Sequence, residues 1–374
     1  MPIADNPDTA PIFIVGYIHT GTTLLQRVLQ RDPELLVLKG ETHFIQDIER
    51  IKHEFPNLQD DETRREYALY LVKLAYIGFQ RANWYRDDYS LADIEVTDAQ
   101  FEDIAARVDD VVLNTPQDLW YETAFSVVND DLASFDGQTR WLEKTPQHVF
   151  FVDRIVNLWP YARVINLVRD PRAAIASRKI RRSDEWMERK VTANPDGTDK
   201  YTNFDPLIDS YVWKEAVNAG HEAELKFPDS VLTVRYEDLV FNPEETVRKI
   251  CEFTGLPFKP EMLEIGWINS ATHTTEGEKP QGISAAAVDK WKKVLSPEEV
   301  FVCQQALRKE MDQLGYDSMP SSLEALAKSP IVLGRSASNL VSRFWGQPER
   351  LQHRRKDAGR RIYRRALKGI GVQK

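Results

Sequence analysis

The stretch PIFIVGYIHTGTTLL, residues 11–25, decides the fold. Its first part, Pro11 to Gly16, is a short apolar run with β-branched residues that ends on glycine, the pattern of a buried strand. Gly16 to Gly21 is a tight turn. From Thr22 or Thr23 the residues Leu24, Leu25, Val28 and Leu29 share one helical face, and the pattern stops near Asp32-Pro33. Strand, glycine-bounded turn and helix in that order make a cradle for an anion. The glycines let successive N–H groups point inward, and the helix start adds partial positive charge. Hydroxyls of Thr20, Thr22 and Thr23 add donors. A glycine turn whose threonines only cap the helix would have the same composition. The loop lacks the lysine that reaches the β- and γ-phosphates of a nucleoside triphosphate, because Gly21 is followed by Thr22. An ATP-driven kinase is therefore disfavoured.

Outward from the loop, Leu35–Leu38 reads as a second strand, and residues 42–133 read as mostly helical, a lid or substrate-facing insertion. Asp98 and Thr115-Pro116 are helix starts in it. After Gly137 strands and helices alternate. Arg140–Glu143, Ala162–Val168 and Val231–Val234 are strands. Pro146–Trp159, Pro171–Arg182, residues 205–227, Pro243–Thr254 before Gly255, and 296–314 before Gly315 are helices. Residues 183–203 and 268–288 read as loops. This alternation predicts an α/β fold: a P-loop NTPase-like parallel sheet flanked by helices, with a helical insertion and a basic C-terminal tail. The expected division is a lead-in at 1–10, one main domain at 11–317, and a tail at 318–374.

A second anion anchor is Val168-Arg169-Asp170-Pro171, followed by Ser177. The strand delivers Arg169 to its carboxyl end, and the next helix carries Ser177 about two turns in. Both then face the edge where open α/β sheets bind ligands. Arg brings a planar fork for phosphate oxygens and Ser a hydroxyl. Asp170 reads as the cap of the helix at Pro171; Arg172 and Arg178 read as solvated helix residues.

With these two anchors the chain resembles the sulfotransferase superfamily that uses 3′-phosphoadenosine-5′-phosphosulfate (PAPS), in its bacterial or tyrosylprotein-type branch. Gly-x-x-x-x-Gly-Thr-Thr is similar to the family's loop for the 5′-phosphosulfate, which implies cofactor contacts at Thr20, Gly21, Thr22 and Thr23. Arg169 and Ser177 are similar to its site for the 3′-phosphate. Glu143-Lys144-Thr145-Pro146 is similar to the family's lysine segment. Arg235-Tyr236-Glu237-Asp238-Leu239 is similar to the segment whose tyrosine lies near the adenine. Gly40-Glu41-Thr42-His43-Phe44 sits where those branches carry a catalytic glutamate. The likeness runs from about residue 11 to about 315.

The resemblance implies an in-line transfer of a sulfuryl group to a hydroxyl or amine acceptor, with adenosine 3′,5′-bisphosphate (PAP) as product. It implies Glu41 as base, with His43 the runner-up, and Lys144 and His19 at the leaving group. Partial shielding from water would give the Glu41 carboxylate a useful basicity. Many family members carry Arg or Lys two residues before the second loop glycine, where this chain has His19. That departure keeps open an inactive PAPS- or PAP-binding homologue beside the active enzyme. No metal is required, and the seven histidines are scattered.

Composition sets the outer bounds. Of 374 residues, 42% are hydrophobic and 29% charged, as in an ordinary globular protein. No apolar run is long enough to span a membrane, and the first residues lack the pattern of a secretory signal. Cys251 and Cys303 are the only cysteines, too few for a disulfide scaffold or zinc site, so a reducing cytoplasm is the expected setting. The net charge of −9 hides an asymmetry: residues 335–374 carry 12 Lys/Arg against 2 Asp/Glu. An acidic body argues against nucleic acid as partner. In the tail, Leu340, Val341, Phe344 and Trp345, and then Ile362, Tyr363, Ala366, Leu367 and Ile370, make apolar stripes among arginines. Such a segment fits either an anionic membrane surface or the protein's own acidic body.

Overall fold

Strand β1 (Ile12–Gly16) is buried along its whole length at the centre of a five-stranded sheet of order β2-β3-β1-β4-β5. The others are β2 (Leu35–Val37), β3 (Arg140–Lys144), β4 (Arg163–Val168) and β5 (Val231–Arg235). Every pairing is parallel. A parallel sheet is covered on both faces by its crossover helices, and β1 alternates accordingly. Ile12 and Ile14 join Leu25, Val28, Leu142 and Ile165 on one face. Phe13 and Val15 join Phe125, Trp141 and Trp159 on the other. There the Phe13, Trp141 and Trp159 rings meet tilted or edge-on at 5.5–6.0 Å, as aromatic quadrupoles favour. The computed structural model describes residues 6–84, 95–183, 204–265 and 283–345.

The sheet and its helices are the α/β architecture that the alternation predicts. Helix α1 (Thr22–Leu29) follows β1. The insertion between β2 and β3 consists of α2 (Ile48–Glu54), α3 (Asp61–Trp84), α4 (Asp98–Asn114) and α5 (Trp120–Phe135). Thr97 and Gln100 close a capping box at the start of α4. At Thr115-Pro116 the chain makes a short 3₁₀ turn, Gln117–Leu119, before α5 begins. Helix α3 is broken at Gly78, with φ 72° and ψ 168°, which the sequence pattern does not announce. The helix expected over Pro146–Trp159 is instead a 3₁₀ helix, Pro146–Phe151, followed by α6 (Val152–Leu158). The tighter winding brings His148 Nδ1 to 3.0 Å from Glu143.

Beyond β4 come α7 (Pro171–Ser183), α8 (Pro206–Lys226), α9 (Tyr236–Phe241) and α10 (Pro243–Thr254). Gly255, at φ 74°, ends α10 as expected. After a 3₁₀ turn at Ala285–Ala287 follow α11 (Trp291–Val294), α12 (Pro297–Gln313) and α13 (Leu323–Trp345). Most of the expected loops at 183–203 and 268–288 lies outside the described residues, as do residues 346–374. The tail begins as ordered helix. Ala325, Ser329, Val332 and Ser336 of α13 are buried at i, i+4, i+7 and i+11, one face of a helix, against α12 and α8. Ser336 Oγ donates to Asp205 at 2.7 Å. Among the described residues no helix is long and apolar enough to cross a membrane.

Candidate active site

Two glycines shape the loop after β1. Gly16 has φ 147°, and a Cβ there would lie 2.3 Å from the Leu167 carbonyl oxygen on β4. Gly21 has φ 98° and caps α1; a Cβ there would lie 2.4 Å from the Tyr236 ring. The backbone is therefore held close to its neighbours at both ends, where no side chain fits. Between them His19 takes the left-handed conformation at φ 67°. Thr20 is fully buried, and its hydroxyl donates to the Tyr17 carbonyl at 2.7 Å. The expectation that this hydroxyl faces an anion is thus corrected: it ties the loop internally, and Thr20 has its main-chain N–H to offer. Thr22 is buried and Thr23 half-buried at the start of α1.

Arg169 follows the last residue of β4 and is 7% exposed. Its guanidinium donates to the His19 carbonyl at 3.1 Å and the Ala287 carbonyl at 2.8 Å. It stacks 4.2 Å above the Tyr236 ring. Its Nε is buried without a partner among the described residues. Trp213 on α8 donates to the Arg169 carbonyl at 3.0 Å. Tyr236, at the carboxyl end of β5, is buried between Gly21 and Arg169. Ser177 is half-buried on α7. Asp170 caps that helix as expected, accepting from the Arg172 N–H at 2.8 Å. Arg172 and Arg178 are not the solvated residues expected. Arg172 is buried, paired with Asp170 at 2.7 Å and Gln304 at 2.8 Å and stacked on Trp291. Arg178 pairs with Asp209 at 2.9 Å. Each fastens α7 to another helix, a role that side-chain periodicity cannot reveal.

A second cluster forms at the end of β3, on the other side of β1 from β4. Lys144 Nζ lies 2.8 Å from Glu41 Oε1, and His43 Nε2 lies 3.2 Å from Glu41 Oε2. Gln46 Nε2 lies 2.5 Å from His43 Nδ1; with the amide donating, the imidazole proton sits on Nε2 and points at Glu41. Gly40 and Gly78 set the position of Glu41. A Cβ on Gly40 would lie 2.6 Å from Gly78 Cα, so the break in α3 and the segment before Glu41 cross backbone to backbone. Burial pushes the Glu41 carboxyl up, but the His43 hydrogen bond and the Lys144 charge outweigh it and hold the group at about 2. The expected gain in basicity from shielding is thus reversed by pairing.

The residues singled out in the sequence, Ser177 apart, accordingly gather at the carboxyl edge of the sheet. Thr20 to Thr23 lie at β1, Glu41 and Lys144 meet at β3, and Arg169 and Tyr236 meet beside β4 and β5, with His19 joined to Arg169 through its carbonyl. Strand spacing puts the β3 and β4 ends about 10 Å apart across β1. Among the described residues no group of His, Cys, Asp and Glu has the arrangement of a metal site. Four residues of the site had no role in the sequence reading: Thr42, Glu143 and Thr145, named only as parts of motifs, and His148. The available signal was a carboxylate in the strand Arg140–Lys144. A strand between two others has no solvated position, so Glu143 had to be paired.

Comparison with known proteins places the family match short of about residue 315, the expected end of the resemblance. The model of the sulfotransferase family matches residues 11–260. Carbohydrate sulfotransferase 1 of Rattus norvegicus is 32% identical over 178 residues, covering 46% of this chain and 42% of that protein. Carbohydrate sulfotransferase 2 of Homo sapiens is 27% identical over 199 residues, covering 45% and 37%. The matches therefore span less than half the length of either relative. Among solved structures, the sulfotransferase domain from the curacin biosynthetic pathway aligns at a TM-score of 0.46 and 18% identity, covering 83% of this chain and 99% of that one. The sulfotransferase domain from the Synechococcus PCC 7002 olefin synthase aligns at 0.46 and 20%, covering 85% and 98%.

Proposed function

The chain belongs to the sulfotransferase family, and from that premise we propose that it transfers a sulfuryl group from PAPS to a hydroxyl or amine acceptor. Arg169 carries the reading: a buried guanidinium beside the glycine loop, with Nε unpartnered among the described residues. A buried cation with a spare donor fits a phosphate. Arg169 and Ser177 would hold the 3′-phosphate; Thr20, Gly21, Thr22 and Thr23 would hold the 5′-phosphosulfate through main-chain and hydroxyl donors. Tyr236 supports both through its packing on Gly21 and Arg169. When bound, PAPS supplies an activated sulfuryl group on a bisphosphate leaving group.

The chain's own residues divide the remaining work. Glu41 takes the acceptor's proton. Lys144 and His19 would supply charge and a hydrogen bond to the oxygen on which negative charge grows. Lys144 cannot serve Glu41 and a leaving group equally. Were its ammonium drawn to the leaving group, it would stop stabilising the Glu41 anion, and burial would then raise that carboxylate's basicity. We take a sugar hydroxyl as the first acceptor class to test, because the relatives are named carbohydrate sulfotransferases.

His19 favours one second reading, a homologue that binds PAPS or PAP without turnover, since a neutral imidazole offers one hydrogen bond where a cation is expected. We also propose a cytoplasmic setting, supported by two free, buried cysteines, and peripheral contact of the basic tail with anionic membrane. Calorimetric titration with PAP, free of metal, tests the central claim. Binding that ATP with magnesium does not reproduce, followed by sulfuryl transfer in an acceptor screen, is the expected result. A folded protein that ignores PAP would end the reading, and PAP binding without any transfer would favour the second one.

A further inference from the structure

We propose that Glu143 is a positioning residue that locks the segment carrying Glu41 onto the end of β3 through the hydroxyls of Thr42 and Thr145. Glu143 is fully buried. Thr42 Oγ1 donates to its Oε1 at 2.8 Å, and Thr145 Oγ1 donates to the same oxygen. His148 Nδ1 meets Oε2 at 3.0 Å. An ionised carboxylate only accepts hydrogen bonds, so both hydroxyl protons must point at Glu143. Their lone pairs then face the other way, toward the main chain of residues 42–44. Thr145 Oγ1 accepts from the Thr42 N–H at 3.1 Å and the His43 N–H at 3.3 Å. Thr42 Oγ1 accepts from the Phe44 N–H at 3.3 Å. The Thr42 N–H also reaches Glu143 Oε1 itself at 3.4 Å, so three successive N–H groups are satisfied by one buried charge and by hydroxyls whose direction it dictates.

This arrangement holds His43 in the left-handed region, at φ 53°, a conformation that costs energy in a non-glycine residue. It also sets Glu41 against Lys144, the residue next to Glu143 on the strand. Burial pushes the Glu143 carboxyl up, but the neighbouring His148 and the threonine hydroxyls bring it below the usual carboxylate range, so the charge is present at neutral pH. Glu143, Thr42, Thr145 and His148 do not lie among the groups assigned to cofactor or proton transfer above; the catalytic consequence rests on the sulfotransferase reading, while the lock itself does not.

The test is hydrogen–deuterium exchange across residues 40–46 in the full chain, with Lys144 acetylation by acetic anhydride as a second readout. Thr42→Val removes the hydroxyl and keeps the shape. Thr42→Ser keeps the hydroxyl. Both hydroxyls bond one oxygen of Glu143, so Glu143→Leu, which removes that acceptor, leaves neither hydroxyl turned inward. Expected is a rise in exchange of about tenfold or more for Thr42→Val and Glu143→Leu, the size of one lost hydrogen bond to a charged group. Thr42→Ser stays at the wild-type rate, Lys144 labelling increases in the first two, and exchange in β4 and PAP affinity do not change. Equal behaviour of Val and Ser, no rise, or a rise spread evenly over the whole domain would overturn the proposal. A wild type that fails to bind PAP would overturn the functional reading and leave the exchange result to stand by itself.

Discussion

Arg169 and Glu41 are two buried or half-buried charges, and they face opposite problems. Arg169 is held by two carbonyls and a ring, yet has a donor to spare. Arg169→Lys keeps the charge and loses the fork, so PAP affinity is expected to fall at least about tenfold. Calorimetry reads that loss, and thermal unfolding checks that the fold persists. Glu41 has more partners than a resting base needs. Glu41→Gln should lower kcat by about 100-fold or more with PAP affinity little changed, measured by turnover and by titration. Its resting ionisation also has a signature in stability. Because the folded group is depressed to about 2 from 4.5, it contributes stability that is fully present above about pH 4.5 and is lost as pH falls toward 2. Glu41→Gln should therefore narrow the gap to wild type as pH drops through that window, by denaturant unfolding at fixed pH. The half-exposed position of Glu41 keeps that contribution small. A fall of activity as pH rises through neutrality would belong to another group. His19 is a histidine whose charge is conditional there, and His19→Lys should keep more activity than wild type as pH rises from 6 to 8.

The individual elements were legible wherever one period ruled a segment. All five strands sit within a residue or two of their expected positions; four are near-continuous apolar runs between turn signals, whereas β3 carries three charged residues, Arg140, Glu143 and Lys144. Arg169 and the glycine loop were legible for the same reason: each lies at the end of a readable strand. The rest depends on contacts that no local pattern encodes. Glu41 meets Lys144 across 103 positions, and only the family resemblance pointed to it. Gly40 and Gly78 meet because α3 breaks where its periodicity continues. The two glycines give the clearest prediction at this scale. Gly40→Ala drives a Cβ to 2.6 Å from Gly78 Cα, with backbone on both sides and nothing flexible to yield. Overpacking of this kind costs about 1–3 kcal/mol, measurable by denaturant unfolding. The Arg169 side of the sheet is untouched, so PAP affinity should survive while turnover falls.

At the scale of the whole molecule, the charge asymmetry divides into two parts that behave differently. Helix α13 belongs to the body: its inner face is buried on α12 and α8, and Ser336 is bonded to Asp205, the residue that also caps α8 through the Leu207 and Ile208 N–H groups. Its outer side leaves Leu323, Leu326, Ile331 and Leu333 exposed. The surplus of Lys and Arg comes mostly after residue 345. Two truncations separate these parts. Ending the chain at Ser322 removes α13, uncovers α8 and α12, and should lower the melting temperature measurably, because Asp205 also loses a hydroxyl partner. Ending it at Trp345 should leave the melting temperature unchanged if the tail's partner is a membrane, and lower it if that partner is the acidic body. If the tail contacts anionic membrane, the full chain should float with vesicles containing phosphatidylserine at low salt and be released as salt rises. The chain ending at Trp345 should not float at all. Binding by that shorter chain would move the contact to the exposed leucines of α13, where burial of apolar surface makes it insensitive to salt. No binding by either form would leave the acidic body as the partner of the tail, and the full chain should then unfold at lower temperature in high salt than the truncated one does relative to its own low-salt value.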